Sequence, residues 1–333
     1  MEAFLKLSHD ERRLLCEEAR ATLGLAAASL EKDFWVCWAL RELFALQEWG
    51  PHLTFKGGTS LSKGWKLIER FSEDIDMVID RELLGFPGER LSNKQINKLK
   101  DACSKRIVTD LLPTLRKHLA ERLPEGEDWK LVAASAEDAP DMQTLFFRYP
   151  TEFADPAGYV KPVVKIELGA RSETEPAESP NMQPMLAEAY PNVLGAASFS
   201  VRTVAPRRTF WEKAMLLHEE TYRPAGKARK ARMSRHYYDL WCLITKGVAA
   251  EAVRDEGLFE RVAAHRQIFF RHRWMDYATL SKGRLRLLPL PEQEAAWRQD
   301  YEAMRGEMFY GAPPSFDTVL QTVTEFESEF NRP

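Results

Sequence analysis

Two short stretches of the chain hold side chains whose types and spacing suit phosphate chemistry. The first is Lys56-Gly57-Gly58-Thr59-Ser60-Leu61. Its glycines permit positive φ angles and close approach of a ligand to the backbone. A helix after them would aim its free N–H groups and positive dipole end at an anion. Thr59 and Ser60 add hydroxyls, and Lys63 places a cation one turn further on. The GxxxxGK[ST] spacing of a Walker loop is absent, and a Gly-Gly pair alone is as common in ordinary turns. The second stretch runs from Arg70 to Ile79 and contains Asp74 and Asp76. On a strand, residues two apart share a face, so the two carboxylates project together while Ile75 and Met77 face a core. Adjacent carboxylates repel unless a cation lies between them. Mg2+, with Mn2+ as the alternative, is suited to one or two carboxylates plus substrate phosphates. A pair of such ions, ~3.5–4 Å apart, polarises an attacking hydroxyl and screens a triphosphate.

Later candidates are less decided by their own residues. Glu167 alternates with Ile166 and Leu168 on an expected strand. It fits either a third metal carboxylate or a strand-face salt bridge with Lys165. Lys213 lies on an expected helix, where a lone lysine is ordinarily solvated. Asp239 sits among Tyr238, Leu240 and Trp241, an apolar setting in which an aspartate needs a partner such as Arg235 or Lys213. From Arg223 to Arg235 the chain carries Arg223, Lys227, Arg229, Lys230, Arg232 and Arg235 with no intervening acid. This run is either a solvated loop or a local surface for RNA phosphates, which a net charge of −3 does not attract globally. A second basic stretch, Arg266 to Arg286, interleaves Phe269, Phe270 and Trp274, a mixture that suits a core or the stacking of single-stranded bases.

The elements that must position these groups follow from periodicity. Apolar spacing predicts a helix over residues 9–23 and a second from Ser29 through Leu43, stopped by Gly50-Pro51. A strand over 53–55 enters the Gly-Gly turn, and a helix through Leu61, Trp65 and Ile68 is expected after it. Residues 74–79 alternate as a strand. A long helix over 92–123, interrupted at Pro113, precedes strands at 129–134, 143–149 and 161–168. Residues 172–184 read as loop. Helices are expected at 209–222, 236–246, 248–266 and 315–330. The fold class is α+β: a mixed sheet flanked by helices, then a mostly helical C-terminal domain. The division is expected at residues 1–205 and 206–333.

Taken together, Gly57-Gly-Thr-Ser60 and Arg70-Phe-Ser-Glu-Asp-Ile-Asp76 resemble the signature of polymerase-β-type nucleotidyltransferases. More narrowly, the chain is similar to the AbiEii/AbiGii toxins of type IV toxin–antitoxin systems. Four further blocks carry the likeness: Glu31-Lys-Asp-Phe-Trp35, Lys165 to Arg171, Trp211 to His218, and Arg235 to Trp241. The resemblance implies that Gly57, Gly58, Thr59 and Ser60 cradle a nucleoside triphosphate, with Lys63 and Ser72 also at the nucleotide. It gives Ser72 the place of a serine whose phosphorylation inhibits some members. Asp74 and Asp76 would bind the metal, with Glu167 as a further ligand. Lys213, from the C-terminal domain, would contact the phosphates, and Asp239 would complete the site. A tRNA acceptor and a cognate antitoxin partner are also implied.

Composition restricts the remaining choices. No apolar run approaches the ~20 residues that span a bilayer, and the N-terminus lacks the apolar centre of a secretory signal, so a cytoplasmic location with no membrane partner is expected. The four cysteines are scattered and expected to be reduced. Two rival functions remain open at this level: nucleotidyl transfer to a small molecule or protein, and nucleotide binding without catalysis.

Overall fold

The computed structural model describes residues 1–333 except 89, 136, 138–142, 154–160, 306, 307 and 310. It divides the chain into two units, Met1–Gly64 with Glu73–Thr203, and Trp65–Ser72 with Val204–Pro333. The fold is α+β as expected, with a mixed seven-stranded sheet flanked by helices and a helical C-terminal region.

The first unit opens with α1 (Glu2–Lys6), α2 (His9–Leu23) and α3 (Ala27–Phe44). Ser8 and Glu11 form a reciprocal capping box that fixes the start of α2, and Gly24, at φ 68°, closes it in the left-handed region. The second helix starts at Ala27 rather than Ser29, and Ala26 occupies its N-cap position. Next come β1 (Leu53–Lys56), a single turn α4 (Gly57–Thr59) continued by a wide π turn over Ser60–Gly64, and β2 (Ile75–Ile79). The helix expected through Trp65 and Ile68 does not form. Lys66 has a positive φ of 52°, and Trp65–Ser72 pack with the second unit.

The long helix over 92–123 exists in two parts, α5 (Asn93–Arg106) and α6 (Leu112–Arg122), joined by a π turn over Ile107–Leu111. Proline cannot donate to the carbonyl four residues earlier, and the widened turn before Pro113 lets the chain continue helically. The remaining strands are β3 (Lys130–Ala133), β4 (Thr144–Arg148), β5 (Val163–Gly169), β6 (Ala177–Glu178) and β7 (Asn181–Met182). After α7 (Met185–Ala189) and α8 (Pro191–Leu194) come β8 (Phe199–Ser200) and β9 (Thr203–Val204). The stretch read as loop over 172–184 thus contains two short strands. The sheet order is β3-β4-β5-β2-β1-β9-β6, with β1 antiparallel to β2 and β2 parallel to β5. Helix α3 is buried nearly all round, and Trp38 stacks on Phe147 of β4 at 5.8 Å between ring centroids.

The second unit contains α9 (Pro206–Thr221), α10 (Arg235–Thr245), α11 (Val248–Arg254), α12 (Leu258–Phe269), α13 (Pro291–Arg305) and α14 (Phe316–Phe330). The single helix expected over 248–266 is divided because Gly257 adopts φ 73°. Helix α13 escaped the sequence reading; its buried side consists only of Trp297, Tyr301 and Met304, too sparse a stripe to stand out. Trp211 anchors one core with Phe259 and Phe330, and Tyr237 another with Trp297 and Phe316. Among the described residues, no helix is long and apolar enough to cross a membrane.

Trp38 is fully buried, so Trp38→Ala removes both transfer energy and packing. A loss of about 3–5 kcal/mol in equilibrium denaturation is expected from truncating such a side chain.

Candidate nucleotidyl-transfer site

Strand pairing assembles a row of polar groups across the first unit's sheet. Lys56 of β1 lies opposite Asp76 of β2, Asp76 opposite Glu167 of β5, and Glu167 opposite Thr144 of β4. Directly paired residues share a face, so Lys56, Asp76, Glu167 and Thr144 project together, and Asp74 joins them two residues earlier. The core-facing neighbours Ile75, Met77, Ile166 and Leu168 are buried. The alternation read from the sequence therefore does place Asp74 and Asp76 on one face, with Glu167 beside them.

Gly57 sits against this row. Its φ is 85°, and a Cβ built there would overlap the Asp76 carboxylate, with Cγ only 2.8 Å away. Any side chain at 57 would displace Asp76 or the turn. The turn is tied to β2 again where the Thr59 hydroxyl donates to the Asp74 carbonyl at 2.5 Å. Ser60 Oγ donates to the Gly57 carbonyl at 2.9 Å. Both hydroxyls are buried and are used to build the turn. The helical dipole expected behind the glycines is shortened to one α turn and one π turn. Lys63 is held by the Asp33 carboxylate of α3.

Electrostatics mark Asp76 as the stressed group. Burial, then the charges of Glu167 and Asp74 and a hydrogen bond with Glu167, push its carboxyl up to about 7, against a smaller opposing pull from Lys56. Lys165 ion-pairs with Glu167, which keeps the ammonium charged. Thus the salt-bridge reading of Glu167 is realised, and Glu167 also reaches Asp76. Among the described residues no three or more His, Cys, Asp or Glu side chains form a preformed metal cage. The donor set nevertheless suits a hard divalent cation of the kind that uses one or two carboxylates and completes its shell with phosphates and water. The raised Asp76 reflects its burial beside the negative charges of Glu167 and Asp74.

In the second unit, Asp239 is fully buried and accepts from Arg70 through two hydrogen bonds, at 2.7 and 2.8 Å. Lys213 Nζ donates to the same carboxylate at 2.7 Å. Burial alone would raise Asp239, but the two cations hold it far below the usual carboxylate range. Lys213 is lowered by its own burial and by Arg70 and Arg235, against the pull of Asp239. Of the two partners expected for Asp239, the structure supplies Lys213 and adds Arg70, which sequence reasoning missed. Arg70 lies 169 positions away and heads the same run as the two aspartates. Ser72 lies at the end of the Trp65–Ser72 segment, where the chain returns to the first unit.

The basic run follows α9 in the second unit. Glu220 binds Arg223 at 2.6 Å and Arg229 at 3.4 Å. Arg229 also lies over Trp297, and Arg223 and Lys227 over Trp274, at 3.7, 5.5 and 5.8 Å. Asp300 of α13 accepts the Arg232 and Ser234 backbone N–H groups at 2.6 and 2.8 Å. Lys227, Lys230 and Arg232 remain exposed, and Arg235 starts α10. Of the second basic stretch, Arg266 is buried on Glu219, whereas Arg271, Arg273, Lys282, Arg284 and Arg286 are exposed.

A mixed sheet that presses paired carboxylates against a Gly-Gly turn has the arrangement of a nucleotidyltransferase. The chain belongs to the AbiEii nucleotidyltransferase toxin family of type IV toxin–antitoxin systems, whose model matches residues 38–322. Among solved structures it is similar to MenT4, a nucleotidyltransferase toxin from Mycobacterium tuberculosis H37Rv, at 17% identity and a TM-score of 0.36, over 88% of this chain and 98% of that one. No curated protein matches it.

Two measurements check these electrostatics. A carboxyl raised in the folded state stabilises most below its unfolded value and loses that contribution as pH climbs through its folded value. Asp76→Asn is therefore expected to raise Tm by an increment that grows from about pH 4, the unfolded value, to about pH 7, the folded one. Asp239→Asn leaves two buried cations inadequately paired and should cost about 3–5 kcal/mol in denaturant titration, the range for breaking a buried pair.

Proposed function

We propose that this toxin-family enzyme transfers a nucleoside monophosphate from an NTP to an RNA acceptor, the 3′ end of tRNA first among them, in a reaction that depends on Mg2+ or Mn2+. The observation that carries the reading is the row of Asp76 and Glu167 with Asp74 beside it, closed on one side by Gly57. Asp74 and Asp76 are the residues to hold the cation, with Glu167 in reach of Asp76. When bound, the cation supplies Lewis-acid activation of the attacking hydroxyl and screening of the triphosphate charge. The backbone of Gly57–Ser60 lies against Asp76 and is the proposed phosphate cradle. Lys63 is a proposed contact of the nucleotide, and Lys213 of its phosphates, with Asp239 fixing the Lys213 ammonium.

Attack is in line on the α-phosphorus by the terminal RNA hydroxyl; the new P–O bond forms as the bond to pyrophosphate breaks, and the hydroxyl proton leaves to solvent. Lys227, Lys230, Arg232 and Arg235 supply the proposed contacts to RNA phosphates. Arg223 and Arg229, held by Glu220, serve mainly to shape that loop. Phosphorylation of Ser72 would place a dianion two residues from Asp74 and oppose NTP binding by like charge. A cognate antitoxin is the expected protein partner, and the cytoplasm the expected place of action.

Purified protein incubated with total tRNA, Mg2+ and each labelled NTP in turn tests the reading. Label is expected in tRNA with one preferred NTP, and none with Asp74→Ala or Asp76→Ala although both fold. Lys213→Ala should raise the KM for that NTP. Label in a small molecule or protein instead of tRNA, or metal-dependent NTP binding without turnover, would replace the RNA reading with one of its two rivals.

A further inference from the structure

Helix α3 contains three consecutive charged residues, Glu31, Lys32 and Asp33, all buried in an otherwise apolar helix. Successive helical residues point about 100° apart, so the three cannot serve one neighbour. Each takes a different loop. Glu31 accepts from Thr151 Oγ1 at 2.5 Å and from the Glu152 N–H at 2.8 Å, just beyond β4. Lys32, 3% exposed, meets Glu73 at 2.7 Å as an ion pair rather than an aligned hydrogen bond. Asp33 holds Lys63 at the far end of the Gly-Gly turn and accepts from the Met185 N–H of α7 at 2.7 Å. Thus one helical turn grips the residue immediately before Asp74 and also the segment that follows Gly57–Ser60. Those two segments are the ones joined by the Thr59–Asp74 hydrogen bond.

Stability is a weak account of this arrangement. Lys32 is buried but Glu73 is 36% exposed, and taking a charge out of water offsets much of what such a pair gains, so that apolar replacement is often neutral. What an ion pair supplies that apolar packing does not is a specific partner, so that each charge holds close the segment bearing its counter-charge. We propose that Lys32 and Asp33 are positioning residues for nucleotidyl transfer, forming a clamp that sets Asp74 and the Gly57–Ser60 turn in register before substrate arrives. They belong to the Glu31–Trp35 block already noted as similar to the AbiEii/AbiGii toxins, just before residues 38–322 of the family match. Misplacement of a reacting group by about 1 Å can cost two orders of magnitude in rate, so a clamp of this kind acts on kcat. The inference rests on the reading that Asp74, Asp76 and the glycine turn are the reaction site.

The test pairs Lys32→Met with Glu73→Leu in the full chain, giving an apolar pair in place of the ion pair. The readouts are Tm, and kcat and KM with the NTP that labels tRNA in the wild type. The expected result is a Tm equal to or above that of the wild type, a kcat at least ten-fold lower, and a KM for NTP changed less than two-fold. Lys32→Arg, which keeps the charge, should recover most of the rate. Asp33→Asn, which keeps the shape but loses the charge facing Lys63, should lower Tm by breaking a buried pair, yet lower kcat even when assayed well below that Tm, and it covers the case in which the double variant does not fold. Wild-type kcat in the double variant and in Asp33→Asn overturns the clamp. So does a loss of activity that only follows a loss of Tm. Asp76→Ala in the same series separates the two levels: an active Asp76→Ala protein refutes the site itself, whereas an inactive one beside fully active clamp variants refutes only the clamp.

Discussion

The contact between the bare backbone of Gly57 and the carboxylate of Asp76 is the constraint on which the first unit's site depends. It exists because β1 and β2 are antiparallel with Lys56 opposite Asp76, so the residue after β1 must lie on the Asp76 side chain. Only glycine leaves room there, and only glycine enters φ 85° without strain. The same register places Glu167 across from Asp76 and brings the charges of three carboxylates to bear on one another. That crowding, together with burial, lifts Asp76 toward neutrality. Like charges held this close are costly unless a cation or a proton offsets them.

The second unit deals with buried charge in the opposite way. Asp239 has two cationic partners within hydrogen-bonding distance, and its carboxylate stays ionised. Lys213, by contrast, gains one carboxylate and shares it with Arg70, so its ammonium is the weaker of the charges. Arg70 fixes the orientation of the carboxylate because a guanidinium fork engages both oxygens, which a lysine cannot do.

Charge runs read differently once folded. The stretch from Arg223 to Arg235 contains no acid, but Glu220 precedes it by one helical turn and Asp300 approaches from α13. Two of its arginines are also laid over indole rings, where cation–π attraction adds to the salt bridges. The loop is therefore a shaped element whose free charge is smaller than its sequence suggests. Net charge along a segment counts what is adjacent in the chain, and screening by a partner 65 or more residues away is invisible to it.

Local pattern was sufficient for much of the site. Alternation around Ile75 and Met77 set Asp74 and Asp76 on one face, and two glycines after a short strand announced the turn. Helices α2, α9, α10 and α14 were legible from periodic apolar residues, since a helix needs only its own neighbours to close its hydrogen bonds. The sequence could not show that the chain leaves its expected helix at Gly64, because Trp65–Ser72 are held by residues beyond 203. Nor could it show that the hydroxyls of Thr59 and Ser60 turn inward, that Arg70 belongs to Asp239, or that Lys32 belongs to Glu73. Those are long-range pairings. Which of several possible partners a buried charge meets is decided by the packing of whole elements, where the cost of leaving it unpaired is imposed, and not by the residues on either side of it.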